Sequence, residues 1–346
     1  MQRSFILHRK RLVGLIAAAL AVSMSVATAI AVAAGSLTGA GSTLIAPLMA
    51  HWQTDFQQRT GISVSYGAVG SGAGIVDISS RTVNFGASDA PMTPAQAAAC
   101  HGCTEIPWAL TATAIGYRLD GVKGAVKLSG PVLAKIYLDQ ITNWDDPAIK
   151  KLNKHTSLPN LGITPVFRSD GSGDTYVITD FLSRVSPAFR SRVGNATAVS
   201  FPAGVGAAKN SGVAGKIAAV NGAVGYVAAS YLITTQGIGV AALQNAAGNF
   251  EYPNLPNITA AAKSVSSVPR TNELHIVNPP STYAAAYPMS TFTYAVVPNT
   301  SSTSSEMAQF IKYATSTGQS FGPALDFAPL PKVVHNAALK AAKKLH

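Results

Sequence analysis

The stretch Phe167-Arg168-Ser169-Asp170-Gly171-Ser172-Gly173-Asp174-Thr175-Tyr176 decides how the rest of this chain is read. A cation is followed by a glycine-rich turn bearing hydroxyls. The apolar positions Val177, Ile178, Phe181 and Leu182 come next, spaced as on one face of a helix. A loop entering a helix in this way leaves the first backbone N–H groups without intrahelical partners, at the positive end of the helix dipole. Together these make an anion site. Ser172 adds a hydroxyl, and Arg168 adds a planar fork matched to oxyanions. Gly171 and Gly173 let the backbone approach a ligand with no Cβ in the way. The same residues also suit an ordinary Asx-type turn and helix N-cap, so the stretch alone leaves both readings open.

Two further stretches of the same kind favour the anion. Gly39-Ala40-Gly41-Ser42-Thr43-Leu44 precedes a helix marked by Leu48, Trp52 and Phe56, which Gly61 ends. Gly67-Ala68-Val69-Gly70-Ser71-Gly72-Ala73-Gly74 precedes Ile75, Val76 and Ile78. Strand patterns are expected at 36–41, 62–66, 83–89, 106–110 and 112–117, 163–167, 222–227 and 287–297. Helical patterns are expected at 94–100, 128–138, about 147–152, 174–184, 213–220, 258–265 and 305–317, with a last one near the C-terminus. Strands alternating with helices predict an α/β protein with largely parallel sheets. In such sheets ligands sit at the carboxyl ends of strands, where all three glycine turns and Asp89 fall.

Composition narrows the function classes. With 47% hydrophobic and 12% charged residues over 346 positions, the chain reads as globular and long enough for two domains. The formal net charge is +11; Arg3, Arg9, Lys10 and Arg11 lie in the N-terminal segment, leaving +7 beyond it. That excess suits anion steering or a generic surface, and no dense basic run with interleaved aromatics points to nucleic acid. Residues 1–34 read as a cleaved signal peptide: a basic start, an apolar run over 12–30, and a small-x-small site at Ala31-Val32-Ala33. A membrane anchor is the competing reading of that run. No cysteine near the cleavage point offers lipid attachment, so a soluble protein free in the periplasm is expected. Export places Cys100 and Cys103, the only cysteines, in an oxidising compartment, where a structural disulfide is preferred over a redox or metal role. No cofactor or metal is expected, because zinc would need more ligands at matching spacing.

These residues resemble the phosphate-binding proteins of bacterial phosphate ABC transporters. The resemblance rests on Leu37–Thr43, Val83–Pro91, Ile136–Leu138 with Ile141–Asp146, Arg168–Gly173, Gly222–Val227 and Tyr287–Thr291, in family order across nearly the whole mature chain. It implies the type II two-lobed periplasmic-binding-protein fold, with phosphate in a cleft between lobes joined by two crossover strands near 117–120 and 287–293. Lobe 1 would comprise residues 35–118 and 290–346, and lobe 2 residues 119–289. By motif, Thr43 supplies a hydroxyl and a backbone N–H, Leu44 a backbone N–H, and Ser71 a hydroxyl. Asp89 accepts a proton from phosphate, Arg168 gives charged donors and is held by Asp170, and Ser172 and Gly173 donate at the helix start. A buried carboxylate acceptor suits phosphate, which keeps a proton near neutral pH, and rejects sulfate, which does not.

One position departs from the family pattern. Asp174 stands where a threonine or serine usually contributes a hydroxyl. Its backbone N–H can still donate, and its side chain is expected either to turn outward and cap the helix or to favour a more protonated ligand. Leu44 where the family often has Phe matters less, since only its backbone is called on. The leading expectation is a monomeric binding protein, not an enzyme, that captures inorganic phosphate and delivers it to membrane permease subunits. Another tetrahedral oxyanion, arsenate or sulfate, is the alternative within that class. A secreted phosphate-ester hydrolase is the alternative from another, but Ser42, Ser71 and Ser172 lie in no G-x-S-x-G elbow and the histidines are scattered.

Overall fold

The structure is a computed structural model that describes residues 35–346; the expected signal peptide lies outside the described residues. The chain enters along β1 (Ser36–Gly41) and turns into α1 (Ala46–Thr60). Leu48, Met49, Trp52 and Phe56 of α1 face inward. Gly61 closes that helix in the left-handed conformation at φ 77°, its N–H donating to the Gln57 carbonyl, as a glycine past a helix end can do without strain. Next come β2 (Ser63–Ala68), α2 (Ser71–Ser79), β3 (Phe85–Ser88), α3 (Pro94–Ala99) and the fifteen-residue β4 (Cys103–Tyr117). A disulfide joins Cys100 to Cys103 at the start of β4, and the Arg81 guanidinium donates to the Cys100 carbonyl beside it at 2.8 Å.

The middle of the chain runs through β5 (Lys127–Leu128), α4 (Gly130–Tyr137), α5 (Pro147–Leu152), β6 (Thr164–Arg168), α6 (Gly173–Val185) and α7 (Pro187–Arg192). Ser129 caps α4, its hydroxyl accepting the Val132 N–H. Then come β7 (Val205–Ala207), α8 (Lys209–Ala219), β8 (Ala223–Ala228), α9 (Ala229–Thr234), β9 (Gly239–Val240), β10 (Ala242–Gln244), β11 (Phe250–Glu251) and α10 (Leu255–Ala262). The chain ends with β12 (Ser290–Pro298), α11 (Ser304–Ala314) and α12 (Lys332–Ala342). Helices α7 and α9 and the short strands β5, β7, β9, β10 and β11 carry too few periodic positions to stand out in the sequence.

Among the described residues the main sheet runs β2-β1-β3-β12-β4-β8-β6-β7, with β9 added to β4. β1 pairs in parallel with β2 and β3, and β6 with β8 and β7. The centre is antiparallel: β12 against β3 and β4, and β4 against β8 and β9. The expectation of largely parallel sheets is therefore corrected to a mixed sheet. A chain that leaves along β4 and returns along β12 must lay those strands in opposite directions.

Strand β4 changes partner midway. Residues 103–112 pair with β12, whereas Thr113–Tyr117 pair with Ala228–Val224 of β8, an exchange lying upstream of the crossover expected at 117–120. Near its start the register slips between Thr293 and Tyr294, opposite Ala109 and Pro107. Pro107 has no N–H to give the ladder, which suits an irregularity there, whereas Thr111, where the sequence suggests a break between two pieces, pairs in regular register with Thr291 and the strand runs on. Large aromatic cores flank this partner exchange. One gathers Trp52, Phe85, Trp108 and Phe310, with Trp52 and Trp108 edge to face at 5.5 Å. The other holds Tyr137, Trp144, Phe181, Phe189 and Tyr226. Buried aromatics bring large apolar area and defined geometry, which fixes the strand ends between the cores. β1, β3, β6 and β8 finish at Gly41, Ser88, Arg168 and Ala228, and the candidate site is built on the residues at and just past these strand ends.

Candidate anion-binding site

Asp89 lies one residue past β3 and is 2% exposed. Its Oδ2 accepts the Ser42 hydroxyl at 2.6 Å and the Ser71 hydroxyl at 3.3 Å. Among the described residues its Oδ1, equally buried, has no hydrogen-bond partner. A buried unpaired carboxylate oxygen is costly, on the order of a few kcal/mol, so its presence here asks for a function. Burial first, and then the negative charge of Asp174, push the Asp89 carboxyl up to about 7, against the hydroxyls of Ser42, Thr293 and Ser71.

Arg168 ends β6 with its side chain buried. Tyr226 accepts its backbone N–H at 2.9 Å. Asp170 takes its guanidinium bidentately, Nε at 2.7 Å and Nη2 at 2.5 Å, and is itself steadied by the Lys209 N–H. The holding role expected of Asp170 is thus visible in the geometry. Burial alone would lower the Arg168 pKa, but the carboxylates of Asp170 and Asp174 outweigh it and raise it. Burial would likewise raise Asp170, yet the guanidinium and the Lys209 N–H hold it below its ordinary value. The third nitrogen, Nη1, reaches Asp174 Oδ2 at 3.3 Å.

The Asp174 side chain points inward, with no exposure. The outward-turned cap is therefore corrected: the cap of α6 is Ser172, whose hydroxyl accepts the N–H groups of Asp174 and Thr175. Asp174 Oδ1 accepts the Thr113 hydroxyl at 2.7 Å, and Oδ2 accepts Asn210 Nδ2 at 2.8 Å as well as the guanidinium. Burial raises its pKa, opposed by Arg168, Thr113 and Asn210. The inward rotamer follows from these three donors, which together offer a carboxylate more than solvent at a helix start would.

The glycine turns meet backbone to backbone. The Gly72 N–H donates to the Gly171 carbonyl at 3.1 Å, and the Gly173 N–H donates to the Ser71 hydroxyl at 3.2 Å. A Cβ at Gly173 would stand 2.4 Å from the Asp89 Cβ, and one at Gly70 would stand 2.7 Å from Asp170 Oδ2. Gly70 also has φ 103°, which L side chains rarely adopt. All eight expected contact residues, Thr43, Leu44, Ser71, Asp89, Arg168, Ser172, Gly173 and Asp174, thus fall in one connected network. Some expected donors already have partners inside it: the Leu44 N–H goes to the Ser42 hydroxyl, and that of Asp174 to Ser172.

Sequence reading missed Thr113, Asn210 and Tyr226 as site residues, and it named Ser42 only within a motif. Thr113 sits mid-strand and Asn210 in a glycine-rich polar stretch, so neither belongs to a local pattern. The available signal was topological, since both flank β8 or pair with it. A separate cavity of about 710 Å³, lined by Thr104, Arg270, Asn272, Asn299, Lys340 and Lys344, includes none of the network. We place the site by its chemistry: a buried cation, acceptors and helix starts brought together.

A family model described as a PBP superfamily domain matches residues 26–317. The sequence is 36% identical to the phosphate-binding protein PstS of Pasteurella multocida, over 87% of this chain and 88% of that one. It is 33% identical to the phosphate-binding protein PstS of Xylella fastidiosa, over 85% of this chain and 81% of that one. The chain belongs to the PBP superfamily and, within it, to the family of these PstS proteins. Its fold resembles that of the phosphate-binding protein from Stenotrophomonas maltophilia, with a TM-score of 0.71 at 20% identity, covering 88% of this chain and 93% of that one. It also resembles a high-affinity periplasmic phosphate-binding protein (PfluDING) bound with phosphate, with a TM-score of 0.68 at 21% identity over 87% and 92% of the two chains.

Proposed function

We propose that this protein captures inorganic phosphate and hands it to the membrane permease of a phosphate ABC transporter, without chemistry of its own. The observation that carries the reading is Asp89 Oδ1, buried and unpartnered among the described residues, on a carboxyl group that stands against Gly173 at the start of α6. A protonated oxyanion satisfies that oxygen, whereas a fully deprotonated one is repelled by it. Phosphate and arsenate meet the condition near neutral pH, and sulfate does not. The names of the PstS relatives favour phosphate between those two. Thr43, Leu44, Ser71, Arg168, Ser172, Gly173 and Asp174 are the remaining contacts in this reading, with the internal hydrogen bonds of Leu44, Gly173 and Asp174 exchanged for bonds to the ligand.

We read residues 35–118 and 290–346 as one lobe and 119–289 as the other, acting as a monomer that closes on its ligand. The division is supported by the partner exchange along β4 and by the separate aromatic cores. Periplasmic residence after removal of residues 1–34 goes with this role. No helix among the described residues is long and apolar enough to cross a membrane. Binding without turnover is favoured because, among the described residues, no histidine hydrogen-bonds Ser42, Ser71 or Ser172, whose hydroxyls instead serve Asp89, Leu44, Gly173 and the α6 cap.

Calorimetric titration of refolded, phosphate-free protein from about pH 5 to 8 tests the proposal. Expected is a phosphate dissociation constant of about 1 μM or tighter, roughly −8 kcal/mol, with little heat from sulfate. Equal affinity for sulfate, or no response to phosphate at any pH, overturns it.

A further inference from the structure

Asn210, in the first turn of α8, is wholly buried, and every polar atom of its side chain has a partner. Its two amide hydrogens face two acceptors: Nδ2 lies 2.9 Å from Thr43 Oγ1 and 2.8 Å from Asp174 Oδ2. Its Oδ1 accepts the Ala228 N–H at 2.8 Å. Turning the amide over would set Oδ1 against a carboxylate and Nδ2 against an N–H, so the hydrogen-bond network fixes its orientation.

The arrangement has consequences for both neighbours. Thr43 Oγ1 accepts from Asn210 Nδ2 and, at 3.4 Å, from the Asn210 backbone N–H. A hydroxyl has two acceptor sites and one proton, so Thr43 is left able only to donate. Asp174 is covered on Oδ2 by Asn210 and Arg168 and on Oδ1 by Thr113. The negative charge facing the site is therefore met by donors before any anion approaches.

We propose that Asn210 is a positioning residue of the anion site: one amide commits Thr43 to donating, covers Asp174, and ties the segment after β1 to the end of β8. Tyr231 reinforces the tie, its hydroxyl donating to the Thr43 carbonyl at 3.2 Å. The inference rests on the phosphate reading and adds to it a residue that acts through its neighbours.

The test is a calorimetric phosphate titration of wild type, Thr43→Val, Asn210→Ala and the double variant. Each single substitution is expected to weaken phosphate binding by about tenfold or more. Once Asn210 is gone, Thr43→Val should cost nothing further, because Asn210 directs that hydroxyl. Losses that multiply in the double variant overturn the inference and leave Asn210 a structural side chain. Since Asn210→Ala strands the Ala228 N–H, Asn210→Asp, which keeps an acceptor there, is measured beside it. Drawing the Thr43 proton away and facing Asp174 with a second carboxylate, it should lose about a hundredfold or more; wild-type affinity in Asn210→Asp also overturns the inference. Thr43→Val with undiminished affinity does so whether or not the Asn210 variants fold. A wild type that gives no phosphate heat fails the phosphate reading, and the inference falls with it. A wild type that binds beside an unaffected Asn210→Asp fails the inference alone.

Discussion

Two carboxylates face the same site from opposite sides, and they are satisfied very differently. Asp174, in the first turn of α6, has donors on both oxygens from Arg168, Thr113 and Asn210. Asp89, past the end of β3, uses one oxygen for two serine hydroxyls and leaves the other without a partner among the described residues. The difference separates two uses of a buried charge. A carboxylate with every lone pair engaged organises its neighbours, and one held on a single side remains an acceptor for something else. It also shows how a site with three carboxylates and one guanidinium can serve an anion. Asp170 and Asp174 are spent on Arg168, and of the three only Asp89 stays open.

The sharpest way to break this comparison is Asp89→Asn. Phosphate affinity should fall by roughly 10²-fold, since an amide at that place can turn a donor where an acceptor was needed. Sulfate heat should rise in the same titration, and unchanged selectivity would remove Asp89 from the role of proton acceptor. A smaller effect is expected from Asp174→Thr, which restores the hydroxyl usual in the family. Affinity near neutral pH should stay within about tenfold of wild type. The pH dependence should move, because the Asp174 charge helps hold the Asp89 carboxyl near 7. Without it Asp89 titrates lower, so binding should survive to more acidic pH, and superimposable profiles would show that the two carboxylates do not sense each other.

The smallest effect concerns the phosphate-free protein. Asp89 and Glu105 are both raised by burial to about 7, above their unfolded values. Between about pH 4 and 7 the folded state then binds more protons than the unfolded one, so stability falls as pH rises through that window. Thermal midpoints should drop by a few degrees across it, and Asp89→Asn should flatten part of the slope. A midpoint that climbs from pH 4 to 7 would contradict the raised carboxyls.

The sequence made the site legible where chemistry is carried by local pattern. Gly-Ser-Gly turns before apolar-periodic helices, a carboxylate just after a strand, and a cation just before a turn all survive as short motifs. Arg168, Asp170, Ser172 and Asp89 could therefore be named in advance. Thr113 and Asn210 could not, because their roles come from strand pairing. Thr113 reaches Asp174 from the residue at which β4 exchanges β12 for β8, and no local spacing encodes that exchange. The mixed sheet was hidden for the same reason: strand direction depends on where a chain leaves and returns, whereas periodicity reports only which face is buried. The rotamer of Asp174 was undecidable from one helix start, since two of the three donors that draw it inward lie 61 and 36 residues away in sequence.

The contact between Gly173 and Asp89 works as a spacing gauge. With no side chain at 173, the two faces approach until a single added carbon would collide with the aspartate at 2.4 Å. In the closure proposed above, the absence of one atom at residue 173 sets how near the start of α6 can come to Asp89. On that proposal, bulk at this one residue would act as a doorstop, and a protein wedged ajar would still display its charges to a passing anion yet fail to imprison it.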